Sequence, residues 1–148
     1  MKQHHPEDPQ RILLVEDDAF LRDVVADILA EAGFVTSQAG CAGEALGLLE
    51  SQSDIAEEIA ALVTDVDMPG EIDGIALAAR VNETWPKIGV VITSGAHRGG
   101  ALALRPPALF LAKPFRAERL VAAIRSVIEP GEANCESVSR RNQLRLTA

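Results

Sequence analysis

The sequence predicts an α/β fold with a doubly wound, five-stranded parallel sheet, and three observations carry that prediction. Short, almost unbroken apolar runs recur at Arg11 to Glu16, Ala61 to Asp65, Ile88 to Ser94 and Ala108 to Ala112, with a weaker one at Phe34 to Gln38. Between them apolar residues return every three or four positions, which is the spacing of helices that bury one face. Strands that are apolar without alternation are covered on both faces, as in parallel sheets wrapped by helices.

Each element has its own signal. Leu21, Val24, Val25, Ile28, Leu29 and Ala32 share one helical face after the first strand, and Gly33 ends that helix as a C-terminal cap. Ala42, Ala45, Leu46 and Leu49 mark a second helix that runs into the polar stretch Glu50 to Glu58. The third strand stops at the turn Met68-Pro69-Gly70. A helix over Ile72 to Trp85 follows, with Leu77, Val81 and Trp85 at four-residue steps and Pro86 unable to continue it. After the fourth strand, Gly99-Gly100 and Pro106-Pro107 leave room for at most a brief helix at Ala101 to Leu104. Leu120, Ile124, Val127 and Ile128 mark the last helix, closed by Pro130-Gly131. The chain thus divides into a flexible leader over 1–10, a folded domain over 11–129 and a polar tail over 130–148. Right-handed crossovers leave the flavodoxin-like strand order 2-1-3-4-5 as the natural arrangement.

At 148 residues the chain fits one domain, and a domain of this size buries roughly 70% of the surface its unfolded chain exposes. Fourteen basic against 22 acidic residues, net −8, give no electrostatic footprint for nucleic acid or an anionic membrane. Cys41 and Cys135 show no metal-ligand spacing and read as reduced thiols. No apolar run approaches membrane-spanning length, and MKQHHPEDPQ lacks the apolar centre of a signal peptide. A cytoplasmic location is expected. His4 and His5 lie in a polar leader, where an adjacent pair reads as a solvated end.

The candidate site lies where the strands end. In the order 2-1-3-4-5, strands 1 and 3 are neighbours, so Glu16, Asp17 and Asp65 converge at the carboxyl edge, where open α/β sheets bind ligands. Taken alone, Asp65 reads as an aspartate that opens the following turn, as most strand-end aspartates do. Three crowded carboxylates, however, must hold protons or recruit a cation. An all-oxygen set with few protein ligands suits Mg²⁺, with water and phosphate oxygens completing the shell. Lys113 after strand 5 supplies a positive charge and Ser94 at the end of strand 4 a hydroxyl. Grouped around one carboxylate, these form an electrostatic clamp for a phosphoryl group, and the carboxylate can be the nucleophile.

Those motifs carry a resemblance. Glu16-Asp17 after the first strand, the DxDMPG-type turn from Asp65, Thr93-Ser94-Gly95 and Lys113-Pro114-Phe115 occur in this order over about Arg11 to Ile128. Together they resemble a bacterial two-component response-regulator receiver domain of the stand-alone, single-domain type. The resemblance implies that Asp65 is the phosphoacceptor, with Asp17 and Asp65 binding Mg²⁺ directly. Glu16 would reach the ion through water, and Asp67 through its backbone carbonyl. It further implies that Ser94 is a switch hydroxyl, that Lys113 binds a phosphoryl oxygen, that Phe110 occupies an aromatic switch position and that Lys113-Pro114 is a cis peptide. The phosphoryl donor would be a histidine kinase or phosphotransfer protein, and the signal would pass to an unidentified downstream protein. Enzymatic action would be limited to the domain's own phosphorylation and dephosphorylation.

Several residues keep a plainer reading. Asp18 reads as a helix cap rather than a metal ligand, Phe110 as a core residue as readily as a switch, and Lys113 alone as a solvated lysine. The turn through Pro69 to Gly74 is one residue longer than the commonest version in the family. No effector domain follows in the sequence, so output is expected from this domain's own surface, at His97 to Leu104 and the exposed end of strand 5. A haloacid-dehalogenase-type phosphatase using Asp65 and Asp67 is the alternative, although that family carries its motif on the first strand. A docking module without phosphorylation is a third reading.

Overall fold

The computed structural model describes residues 9–51, 53–95, 104 and 108–128. The strands are β1 (Arg11–Val15), β2 (Val35–Ala39), β3 (Ile59–Asp65), β4 (Gly89–Ser94) and β5 (Ala108–Ala112). The described helices are α1 (Ala19–Glu31), α2 (Ala42–Ser51), α3 (Ser53–Glu58), α4 (Gly74–Thr84) and α5 (Ala117–Ile128). All strand pairs are parallel, in the order β2-β1-β3-β4-β5. This is the flavodoxin-like order expected from the sequence.

Alternate side chains of the same strands supply two cores. Leu13, Val15, Leu62, Val90 and Ile92 pack with α2, α3 and α4 through Leu46, Leu49, Ala56, Leu77 and Val81. Ile12, Leu14, Ala61, Val63 and Val91 pack on the other face with Val25 and Leu29 of α1 and Leu120, Ile124 and Val127 of α5. Burying a side chain of this kind fully is worth about 1.5–3 kcal/mol, so the apolar middle of the strands stabilises the sheet from both faces. At Gly89, an added Cβ would stand 2.7 Å from Val127. Helix α5 therefore approaches β4 more closely than any larger residue permits.

The boundaries shift in ways that local chemistry explains. Asp18 is the cap of α1, accepting from the N–H of Phe20 at 3.0 Å and of Leu21 at 3.2 Å. Gly33 takes φ +94° just beyond α1, as a C-terminal cap does. Phe34 belongs to that cap rather than to β2, since its N–H donates to the Leu29 carbonyl at 2.9 Å. Helix α4 starts at Gly74, not Ile72, because Asp73 caps it and accepts from Ala76 N at 2.8 Å. Within the polar stretch Glu50 to Glu58, α2 runs on to Ser51 and α3 covers Ser53–Glu58, and both helices lie between β2 and β3 in the chain. Strand β3 begins directly after α3, two residues before the expected start at Ala61.

The brief helix expected at Ala101 to Leu104 lies outside the described residues except for Leu104, which packs against the α2–α4 core without belonging to a helix or strand. The expected output segment His97 to Leu104 lies outside them likewise, again except for Leu104. Among the described residues no helix is long and apolar enough to cross a membrane.

Candidate functional site

Strand register brings the site together. Val15 pairs with Thr64, Asp65 with Thr93, and Ser94 with Ala112, so β1, β3, β4 and β5 end at one edge. The ladders run one residue further: Glu16 N donates to Ala39 O at 3.1 Å, Val66 N to Thr93 O at 3.0 Å and Lys113 N to Ser94 O at 2.8 Å. Glu16, Asp65, Ser94 and Lys113 are therefore held by backbone hydrogen bonds, not left to loop conformation.

Carboxylate oxygens of Glu16, Asp17 and Asp65 lie within 4.8 Å of one another. Glu16 and Asp65 are buried while Asp17 is exposed, so the cluster opens to solvent on the Asp17 side. Lys113 Nζ stands 3.3 Å from Asp65 Oδ2 and 3.8 Å from Glu16 Oε2. One ammonium thus serves the two buried carboxylates, with the Asp17 carboxylate beside them. Burial pushes the Glu16 carboxyl up from 4.5 to about 7; the Lys113 ammonium pulls it down, the Asp65 and Asp17 charges push it up, and a backbone hydrogen bond near Asp18 lowers it. A cation added to the cluster would supply the missing positive charge, and the donors are all oxygens. The residues present therefore fit Mg²⁺.

Of the other expected residues, Ser94 is buried at the end of β4. Asp67 is exposed two residues beyond Asp65. Phe110 is half-buried on β5, paired with Ile92 and packed against the α2–α4 core. The Lys113-Pro114 peptide is cis.

Two further residues shape the site without an obvious mark in the sequence. A Cβ on Gly74 would fall 1.7 Å from the Asp65 carbonyl oxygen and 2.9 Å from Val66 Cα. Gly74 N also donates to Val66 O at 2.9 Å. The turn after Asp65 folds back onto the backbone of Asp65 itself, and only a residue without a side chain fits there. Arg22 Nη1 donates to the Glu16 carbonyl at 2.7 Å. In the sequence Gly74 reads as one more turn glycine, and Arg22 carries no signal at all, because a backbone acceptor leaves no trace there. Below Asp65, Thr64 Oγ1 donates to Asp65 O at 3.0 Å and Thr93 Oγ1 to Thr64 O at 3.4 Å, so the end of β3 is fixed from within the sheet as well.

The arrangement can hold a divalent cation beside one carboxylate and offer that carboxylate an ammonium partner, which are the parts needed to transfer a phosphoryl group to it. Comparison with known proteins finds receiver domains among the relatives of this chain. The chain is 33% identical over 125 residues to the response regulator receiver protein CpdR of Brucella abortus, with 80% of this chain and 97% of CpdR covered. It is 32% identical to the C4-dicarboxylate transport transcriptional regulatory protein DctD of Rhizobium meliloti over 88% of this chain, but spans only 28% of DctD. It likewise spans 12% of the sensor kinase CckA of Brucella abortus and 60% of the transcriptional regulatory protein FixJ of Bradyrhizobium diazoefficiens. The crystal structure of a response regulator receiver protein from Sinorhizobium medicae superposes with a TM-score of 0.73 at 26% identity, covering 82% of this chain and 95% of that one. The model of the response regulator receiver domain matches residues 12–125, most of the chain, and the chain belongs to that family.

Proposed function

We propose that the protein is a phosphoacceptor that takes a phosphoryl group onto Asp65 from a histidine kinase or phosphotransfer protein, in a Mg²⁺-dependent reaction, and signals by protein–protein contact. One observation carries this reading. Asp65 alone among the clustered carboxylates combines a strand-end position, a lysine at 3.3 Å and two further carboxylates close enough to share a cation.

Asp65 supplies the oxygen that attacks phosphorus, forming a P–O bond as the P–N bond to the donor imidazole breaks; the imidazole nitrogen leaves with the electron pair and takes up a proton. Lys113 donates to a phosphoryl oxygen and offsets negative charge as it builds there. Ser94 is the hydroxyl that turns toward the bound phosphoryl group, and Phe110 follows on the neighbouring strand. Asp17 and Asp65 would hold Mg²⁺ directly, Glu16 through water and Asp67 through its carbonyl. When bound, the ion neutralises phosphoryl charge. Hydrolysis reverses the modification: water attacks phosphorus, the P–O bond to Asp65 breaks, and the carboxylate and inorganic phosphate are released. The phosphatase alternative built on Asp65 and Asp67 has less support, since the chain belongs to the receiver family and its acidic pair precedes the nucleophile.

Incubation with acetyl phosphate followed by peptide mapping tests the reading. Asp65 is expected to carry the label with Mg²⁺ present and to lose it in EDTA. Labelling elsewhere, or labelling indifferent to EDTA, would contradict the proposal.

A further inference from the structure

Arg22 is the fourth residue of α1 and is half-buried. An arginine at this place on an amphipathic helix would ordinarily be solvated. Here its Nη1 donates to the Glu16 carbonyl at 2.7 Å, a short charge-assisted hydrogen bond. The opposite side of the same residue is also anchored, since Glu16 N donates to Ala39 O at 3.1 Å. The guanidinium is confined from the β2–α2 side as well. A Cβ on Gly40 would lie 3.3 Å from Arg22 Nη1 and 3.5 Å from Glu44 Oε2, and Gly40 N donates to that Glu44 oxygen at 2.6 Å.

The carbonyl Arg22 holds belongs to the peptide joining Glu16 to Asp17. That unit is planar and rigid, so an anchor on its oxygen restrains the whole unit through to the Asp17 Cα. Asp17 is the exposed member of the carboxylate cluster and so has the least packing of its own to orient it. We propose that Arg22 is a positioning residue for the cation site, holding the Glu16–Asp17 peptide so that both carboxylates point to one ion. The inference rests on the Mg²⁺ reading of the cluster given above. Groups that orient metal ligands in this way typically alter metal affinity by tenfold or more when removed.

Charge makes the proposal decidable. Arg22 is a cation close to a cation site, so acting only through space it would weaken Mg²⁺ binding, and neutralising it would tighten that binding. A positioning role gives the opposite sign.

The test is Mg²⁺ titration calorimetry of the whole chain as wild type, Arg22→Met and Arg22→Lys, with melting temperatures in EDTA as the measure of folding. Arg22→Met is expected to weaken Mg²⁺ by about tenfold, and Arg22→Lys, which keeps the charge and loses the planar fork, by less. Unchanged or tighter binding by folded Arg22→Met overturns the proposal, even if its melting temperature falls. Should Arg22→Met fail to fold, Gly40→Ala decides instead, because it crowds the guanidinium and leaves its charge in place. A severalfold weaker affinity supports positioning, and wild-type affinity contradicts it. A wild type that binds no Mg²⁺ removes the underlying reading and this inference with it, an outcome distinct from normal wild-type binding with an unaffected variant.

Discussion

The middle of the sheet and its carboxyl edge are built from the same strands under opposite rules. Ile12, Leu13, Leu62, Val90 and Val91 are wholly buried and apolar. Within a few residues along the same chains stand Glu16, Thr64, Asp65, Thr93 and Ser94, which with Asn82 make up the buried polar and charged side chains among the described residues. Burying a carboxylate costs free energy unless it is paired, and here two buried carboxylates share one lysine with a third, exposed carboxylate beside them. The apolar middle holds the edge in place; the edge, left to itself, destabilises the fold. A protein gains from such an arrangement when a ligand brings the missing positive charge.

The largest effect is expected at the join between the two regions. Gly74→Ala places a Cβ against the Asp65 carbonyl oxygen, and backbone cannot yield as a flexible side chain does. A loss of about 3 kcal/mol or more is expected in urea unfolding. Leu62→Ala, in the apolar middle of β3, should cost about 2–5 kcal/mol, yet leave Mg²⁺ affinity unchanged in the folded protein. Gly74→Ala with wild-type stability would mean that the turn is not seated against β3.

A smaller effect separates ligand from structure. Mg²⁺ binding only the native state at a hundredfold excess over its dissociation constant stabilises it by about 2.7 kcal/mol. Asp17→Ala should abolish that gain while leaving the EDTA form no less stable than wild type, since an exposed like charge has been removed. A clearly less stable EDTA form would make Asp17 a structural residue.

The smallest effect is a slope. Native Glu16 is raised to about 7 from an ordinary 4.5, so between those values the folded state binds more proton than the unfolded state does. Stability in EDTA therefore falls as pH rises through that window, and the contribution is fully lost above the folded value. Glu16→Gln should remove this part of the slope, gaining on the wild type by a few kcal/mol at most between about pH 5 and about pH 8. Parallel curves for the two proteins would show that Glu16 is not held in its neutral form.

The same contrast explains what was legible in the sequence. Asp65, Glu16, Ser94 and Lys113 stood out because each interrupts an apolar run, and hydrophobicity that stops abruptly at a charge marks a strand end without any tertiary knowledge. Strand order followed from crossover handedness, and with it the meeting of Glu16, Asp17 and Asp65. The start of β3 was hidden because α3 abuts it with no turn residue between Glu58 and Ile59. Gly74 looked like one more turn glycine, since its contact is with a backbone atom nine positions earlier. Arg22 was invisible for a related reason: its partner is a carbonyl, and every residue has one.

Everything proposed for the carboxyl edge depends on which carboxylate reacts. Intact-mass measurement after acetyl phosphate and Mg²⁺, with wild type and Asp65→Asn side by side, decides it. One adduct on the wild type and none on Asp65→Asn is the predicted result, because the amide keeps the shape of the site but removes the nucleophilic oxygen anion. Equal labelling of the two proteins would contradict it and move the chemistry to another residue.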